Sequence, residues 1–262
     1  MRAIKFKHSL IGSCIVVGSS RGLGAALVNE LLEDGGPLVV GVSRSPIEAV
    51  ENHEKLAASS NYRHLVTDIG SRDSVAALRN VALDLAPEAL LVIFNAACVV
   101  KDVREDTTID FQVFEEVNRV CINGFSHILE AFESHLTGFS GILVAISSIN
   151  AIKPPVFEHR VAYAPSKAYL DMIMRSLAFL WPNVNPVTVH LGKVGGNRGG
   201  LFQKLLKPTY QSTARRIVGI LAKRNVPREL TYPIFYRIVF KYFLKFLPDS
   251  LYYKLSRYSP VN

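Results

Sequence analysis

The sequence predicts an α/β fold: a doubly wound parallel sheet with helices on both faces, followed by a basic, apolar C-terminal helical extension. Three observations carry this. Short β-branched runs alternate with amphipathic stretches through the first three quarters of the chain, which is the pattern of successive βαβ units. The first such run ends in a glycine cluster over 18–24 that opens directly into a helical pattern. A chain of 262 residues, 49% of them hydrophobic, can also bury one large core. We therefore expect a single domain over 1–262, with a cofactor-binding and catalytic core over 1–226 and an amphipathic extension over 227–262.

Strands are expected at 14–17, 38–42, 62–67, 90–95, 141–147 and 187–191, each a short run rich in β-branched and apolar residues. Helices are expected between them, at 23–32, 71–85, 111–136 and 162–181. The second of these starts from the polar cap Ser71, with apolar residues recurring at helical spacing. The last two are more apolar than one buried face requires. Their outer faces are expected to make subunit contacts, giving a homodimer or homotetramer. The glycine-dense run at 192–200 follows the last strand and should border the pocket, because ligands in such sheets bind outside the carboxyl ends of the strands.

Arg2, Lys5 and Lys7 precede an apolar run at 10–17 and imitate a secretion signal, but cleavage at Cys14 would cut the first strand. No stretch approaches the roughly 20 apolar residues that span a bilayer. A cytoplasmic protein is expected, peripheral on a membrane surface at most. Cys14, Cys98 and Cys121 form no CxxC pair and sit in apolar runs, so they read as buried free thiols. His127 and His135 stand eight apart without a carboxylate or cysteine beside them, so no metal site is expected.

The chemistry lies in three constellations. Gly18-Ser19-Ser20-Arg21-Gly22-Leu23-Gly24 joins a strand to a helix. Glycines there let backbone approach a pyrophosphate, and the helix start offers free N–H groups and partial positive charge. The second strand ends in Ser43-Arg44, with no acid for the ribose hydroxyls of an unphosphorylated dinucleotide. Arg21 and Arg44 instead offer guanidinium forks that suit a 2′-phosphate, which points to NADP(H). Tyr163 and Lys167 lie four apart on one helical face. A phenol with a pKa of about 10 needs a nearby ammonium to act at neutral pH. Ser148, at the end of the preceding strand, can donate to a substrate oxygen.

With these motifs in this order, the sequence resembles the short-chain dehydrogenase/reductase family, from about residue 13 to 224. The resemblance implies a Rossmann-type fold. It places Gly18, Gly22 and Gly24 on the family's GxxxGxG, with Ser20, Arg21 and Leu23 between them. It also places Asp68 and Ile69 at the adenine, Phe94-Asn95-Ala96-Ala97 on the NNAG segment, and Gly192 with Val194 at the turn after the sixth strand. Tyr163 would be the general acid or base. Lys167 would lower its pKa and hold the nicotinamide ribose, and Ser148 would orient the substrate. The chain departs from the family where Cys121 replaces an asparagine of the proton relay, where the segment between Ser148 and Tyr163 is longer and holds Lys153-Pro154-Pro155, and where Val194-Gly195-Gly196 lacks the threonine that touches the nicotinamide.

From residue 201 onward the chain carries +10 of its net +8, so the remainder sums to −2. Over 234–247, Arg237, Lys241 and Lys245 recur at i, i+4 and i+8 on an otherwise aromatic and aliphatic helix. That composition suits the interface plane of a membrane. Nucleic acid is excluded as the main partner, because the stripe lies among bulky aliphatics rather than on a polar stacking surface. The expected function is an NADP(H)-dependent oxidoreductase acting on a hydrophobic carbonyl or alcohol. The alternative is a catalytically weak, nucleotide-binding regulatory or scaffold protein of the same fold.

Overall fold

The structure is a computed structural model, and it describes residues 11–32, 36–96, 101–106, 108–153, 160–195 and 207–257. Cys98, Ala97, Pro154, Pro155 and the 196–200 part of the glycine-dense run lie outside the described residues.

Seven parallel strands form one sheet in the order β3-β2-β1-β4-β5-β6-β7. They are β1 (Ile11–Val17), β2 (Leu38–Ser43), β3 (Tyr62–Val66), β4 (Ala89–Phe94), β5 (Ile142–Ser148), β6 (Asn185–Leu191) and β7 (Glu229–Tyr232). The order reverses between β1 and β4, so the crevice outside the carboxyl end of β1 is the topological switch point. Strand alternation sends side chains to two cores. Ile15 and Val17 of β1 enter one and Cys14 and Val16 the other, all fully buried.

On one face lie α3 (Ser74–Leu83), α5 (Gly124–Gly138) and α6 (Tyr163–Leu180), and on the other α1 (Gly22–Leu31) and α7 (Tyr210–Leu221). A short α2 (His53–Ala57) lies between β2 and β3. The predicted helix at 111–136 is α4 (Phe111–Asn118), a π-helical turn at Arg119–Asn123, and α5 in unbroken succession. Asp110 starts it by accepting from the Gln112 and Val113 amides, which holds its carboxyl below the usual range. His127 and His135 face the backbone carbonyls of Ile69 and Glu88, at 2.7 and 3.0 Å.

Two expectations need correction. The six expected strands are joined by a seventh, because Glu229–Tyr232 pairs with β6 from Thr188 to Leu191 at the edge of the same sheet. Four residues with only partial burial leave no alternation long enough to read. The regular helix expected over 234–247 is instead one α turn (Ile234–Tyr236), a π-helical stretch (Arg237–Phe243) and a 3-10 turn (Leu244–Phe246). The segment is apolar on nearly every side, so no single buried stripe enforces a 3.6-residue period. A final α8 (Asp249–Arg257) ends the described chain.

Candidate active site

One cleft of about 710 Å³ opens at the carboxyl end of the sheet, within the size range of small-molecule sites. Gly18, Ser20, Arg21, Gly22, Leu23, Ser43, Arg44, Asp68, Ile69, Asn95, Ala96, Ser148, Tyr163, Lys167, Gly192 and Val194 all line it. Of the expected residues only Gly24 does not. A Cβ there would stand 1.8 Å from the Gly18 carbonyl oxygen, so Gly24 lets α1 sit against the strand end rather than touching a ligand.

The glycine turn fits the phosphates of a dinucleotide. Gly18 and Gly22 have φ of +79° and +60°, where a side chain is strained. Arg21 caps α1 without a side-chain hydrogen bond and the first turn contains no acid; the first amide of α1, on Gly22, donates to Glu51 Oε1 at 3.0 Å, and the helix start borders the cleft through Arg21, Gly22 and Leu23. Asn95 closes the floor by donating from Nδ2 to the Gly18 carbonyl at 3.2 Å.

At the end expected to hold the adenosine, the residues are already engaged within the chain. Arg44 pairs with Glu116 at 3.4 Å, and Asp68 accepts from the Gly70 amide at 3.0 Å and from Arg119 at 2.9 Å. Arg119 also bonds Glu116, and these carboxylates hold its pKa above the ordinary value. Glu116 lies in the last turn of α4 and Arg119 opens the π-helical turn, and no sequence motif marks them.

At the catalytic end, α6 begins at Tyr163. Buried Asp102 sets its start, accepting from the Val161 and Ala162 amides at 2.6 Å each. Lys167 is 2% exposed; its Nζ donates to the Ile146 carbonyl at 3.0 Å and lies 5.8 Å from the centre of the Tyr163 ring. Ser148 Oγ accepts from the Asn150 amide at 3.2 Å, which leaves its hydroxyl hydrogen available to the cleft. Cys121, buried on the π-helical turn, packs with Val117 and with Ala162 beside Tyr163. Asp102, Glu51 and Tyr210 were not anticipated from sequence. Glu51, on the turn after Ile47–Ala49, and Tyr210, the first residue of α7, line the cleft with no marked spacing.

A model of the short chain dehydrogenase family matches residues 13–207. The chain belongs to that family. Among short-chain dehydrogenases and their relatives it is similar to versicolorin reductase 1 of Dothistroma septosporum, 31% identical over 165 residues, 63% of this chain and 61% of the relative. The chain thus spans about three-fifths of the length of that relative. It is also similar to sepiapterin reductase of Rattus norvegicus, 29% identical over 231 residues, 83% and 85% of the two chains. A short-chain dehydrogenase from Burkholderia cenocepacia in complex with NADP superposes with a TM-score of 0.73 at 21% identity, covering 96% of this chain and 99% of that one. An NADPH-bound carbonyl reductase from chicken fatty liver gives 0.71 at 22%, covering 85% and 96%. These two structural likenesses establish the shared fold.

Proposed function

We propose that this short-chain dehydrogenase is an NADP(H)-dependent oxidoreductase that reduces the carbonyl of a hydrophobic substrate, or runs the reverse reaction. The observation that carries the reading is one continuous cleft with Ser148, Tyr163 and Lys167 at one end and Arg21, Ser43 and Arg44 at the other. The relatives named as reductases support the same chemistry.

The bound dinucleotide would supply the hydride. Tyr163 gives its hydroxyl proton to the substrate oxygen as the carbonyl carbon is reduced, and takes a proton back in the reverse direction. The buried ammonium of Lys167 favours the phenolate that this transfer leaves. Ser148 donates a hydrogen bond to the same oxygen and fixes the carbonyl in place. Arg44 is held by an exposed ion pair worth about 0–1 kcal/mol, so a 2′-phosphate can take it from Glu116. We read 11–232 as one cofactor-binding and catalytic unit.

NADPH oxidation over a panel of apolar ketones and aldehydes tests this. Turnover is expected, and Tyr163→Phe should lower it at least about 100-fold. Undiminished activity in that variant would overturn the assignment of roles. Cys121 favours a second reading, a nucleotide-binding regulatory or scaffold protein, because an apolar thiol stands where the family commonly places a relay asparagine. Tight NADP(H) binding without turnover on any carbonyl or alcohol would support it.

Two partner readings go with the function. Phe111, Met172, Phe179 and Leu180 are exposed on the outer faces of α4 and α6, which supports a homodimer or homotetramer. The apolar and basic segment after Pro233 supports peripheral contact with a membrane surface.

A further inference from the structure

β2 ends at Ser43 with no acidic residue, yet the cleft contains a carboxylate at its ribose end. Glu51 arrives from beyond the 3-10 turn Ile47–Ala49 and lines the cleft with Arg21, Gly22, Ser43 and Arg44. Its position is fixed twice by the phosphate turn. The Glu51 amide donates to the Ser20 carbonyl at 2.9 Å, and Glu51 Oε1 accepts from the Gly22 amide at 3.0 Å. That amide is the first of α1 and has no partner within the helix. The positive end of the helix dipole favours a carboxylate beside it.

Beside the phosphate turn the cleft therefore carries the guanidinium groups of Arg21 and Arg44 and the carboxylate of Glu51, with Asp68 farther along the lining and Glu116 paired to Arg44. Arg21, Arg44 and Glu51 distinguish the two nicotinamide dinucleotides in opposite directions. A 2′-phosphate is attracted by Arg21 and Arg44 and repelled by Glu51. A free ribose hydroxyl can accept from a guanidinium group but brings no charge to pair with it, whereas it can donate to the carboxylate.

We propose that Glu51 is a specificity-determining residue for the cofactor: it admits NAD(H) to the cleft and lowers the preference for NADP(H) that Arg21 and Arg44 create. This rests on the reading of the cleft as the dinucleotide site.

Equilibrium titration of the full-length protein with NADPH and with NADH, followed by nicotinamide fluorescence without substrate, reads the effect directly. The wild-type protein is expected to bind both. Glu51→Gln keeps an amide oxygen for the Gly22 N–H and removes the charge. It should tighten NADPH and weaken NADH, each about fivefold, so that the ratio of the two dissociation constants moves at least tenfold, as expected for loss of one charged contact. Glu48→Gln makes the same change of net charge at an exposed site outside the cleft and should leave the ratio alone. An unchanged ratio, an equal shift for both cofactors, or the same shift in Glu48→Gln overturns the proposal. Arg44→Ala separates the parent reading. If that variant binds NADPH as tightly as wild type while Glu51→Gln still moves the ratio, the NADP(H) assignment falls and the role of Glu51 stands. Binding of neither dinucleotide by the wild-type protein overturns both.

Discussion

A Cβ on Gly24 would meet the Gly18 carbonyl oxygen at 1.8 Å and the Asn95 amide nitrogen at 2.9 Å, and Asn95 itself bonds that same carbonyl. Backbone cannot yield there as a flexible side chain would. Gly24→Ala is expected to cost about 3 kcal/mol in urea denaturation and to abolish dinucleotide binding. Gly138→Ala, where nothing stands within 4 Å, should be neutral or stabilising by up to about 1 kcal/mol. The glycine spacing was legible in the sequence, but its division was not: Gly18 and Gly22 take positive φ and line the cleft, whereas Gly24 serves packing. Asp102 was not legible at all. Its two amide bonds come from residues far away in sequence, and a lone aspartate in a loop carries no spacing signal. A thiol prediction also belongs here. Cys14 is fully buried, and burial pushes its pKa to about 12, so its thiolate is scarce at pH 8. A water-soluble thiol reagent should label Cys14 at that pH only when urea unfolds the protein. Labelling of the native state, read by peptide mass, would contradict the burial.

The segment after β7 is tied to both loops that flank the catalytic end. Tyr236 lies over Gly192, where a Cβ would come within 2.2 Å of its ring. Lys153, beyond Ser148 and the 3-10 turn Ile149–Ala151, bonds the Leu247 carbonyl at 3.2 Å and the Asp249 carboxylate, with its Nζ 5.1 Å from the Tyr252 ring. The two ends of the Lys153–Asp249 pair differ in exposure, with side chains 11% and 69% exposed. Removing Asp249 strands a buried ammonium, whereas removing Lys153 leaves a carboxylate that water can solvate. Asp249→Ala should therefore cost more stability than Lys153→Met, by at least about 1 kcal/mol. Chemical denaturation of the two variants checks the order, and equal costs would mean that the pair is not held as described. From sequence, Lys153 was noted only as part of a longer-than-usual loop. Contacts with residues near the other end of the chain leave no local pattern. β7 was hidden for a different reason, its four half-buried residues showing no alternation, whereas the six preceding strands were legible as short β-branched and apolar runs.

Charge and apolar exposure coincide at one end of the molecule. Ile234, Phe235, Ile238, Tyr242, Phe243 and Phe246 are all at least half exposed, Arg237 and Lys245 are exposed among them, and residues 234–248 contain no acid. Among the described residues no helix is long and apolar enough to cross a membrane. On the proposed membrane reading, the basic residues of this face would favour an anionic lipid surface, each by about 1 kcal/mol near the headgroups. The aromatic and aliphatic side chains add burial that salt does not screen. Full-length protein should therefore float with vesicles containing about 30% phosphatidylserine more than with purely zwitterionic vesicles. Raising the salt to 1 M, where the Debye length is about 3 Å, should reduce but not abolish flotation. A chain ending at Pro233 should stay at the bottom of the gradient while retaining the fold by circular dichroism. Equal flotation of the two chains would remove the lipid contact. If the full-length chain alone sedimented as a larger oligomer, the apolar face would instead be covered by a second copy.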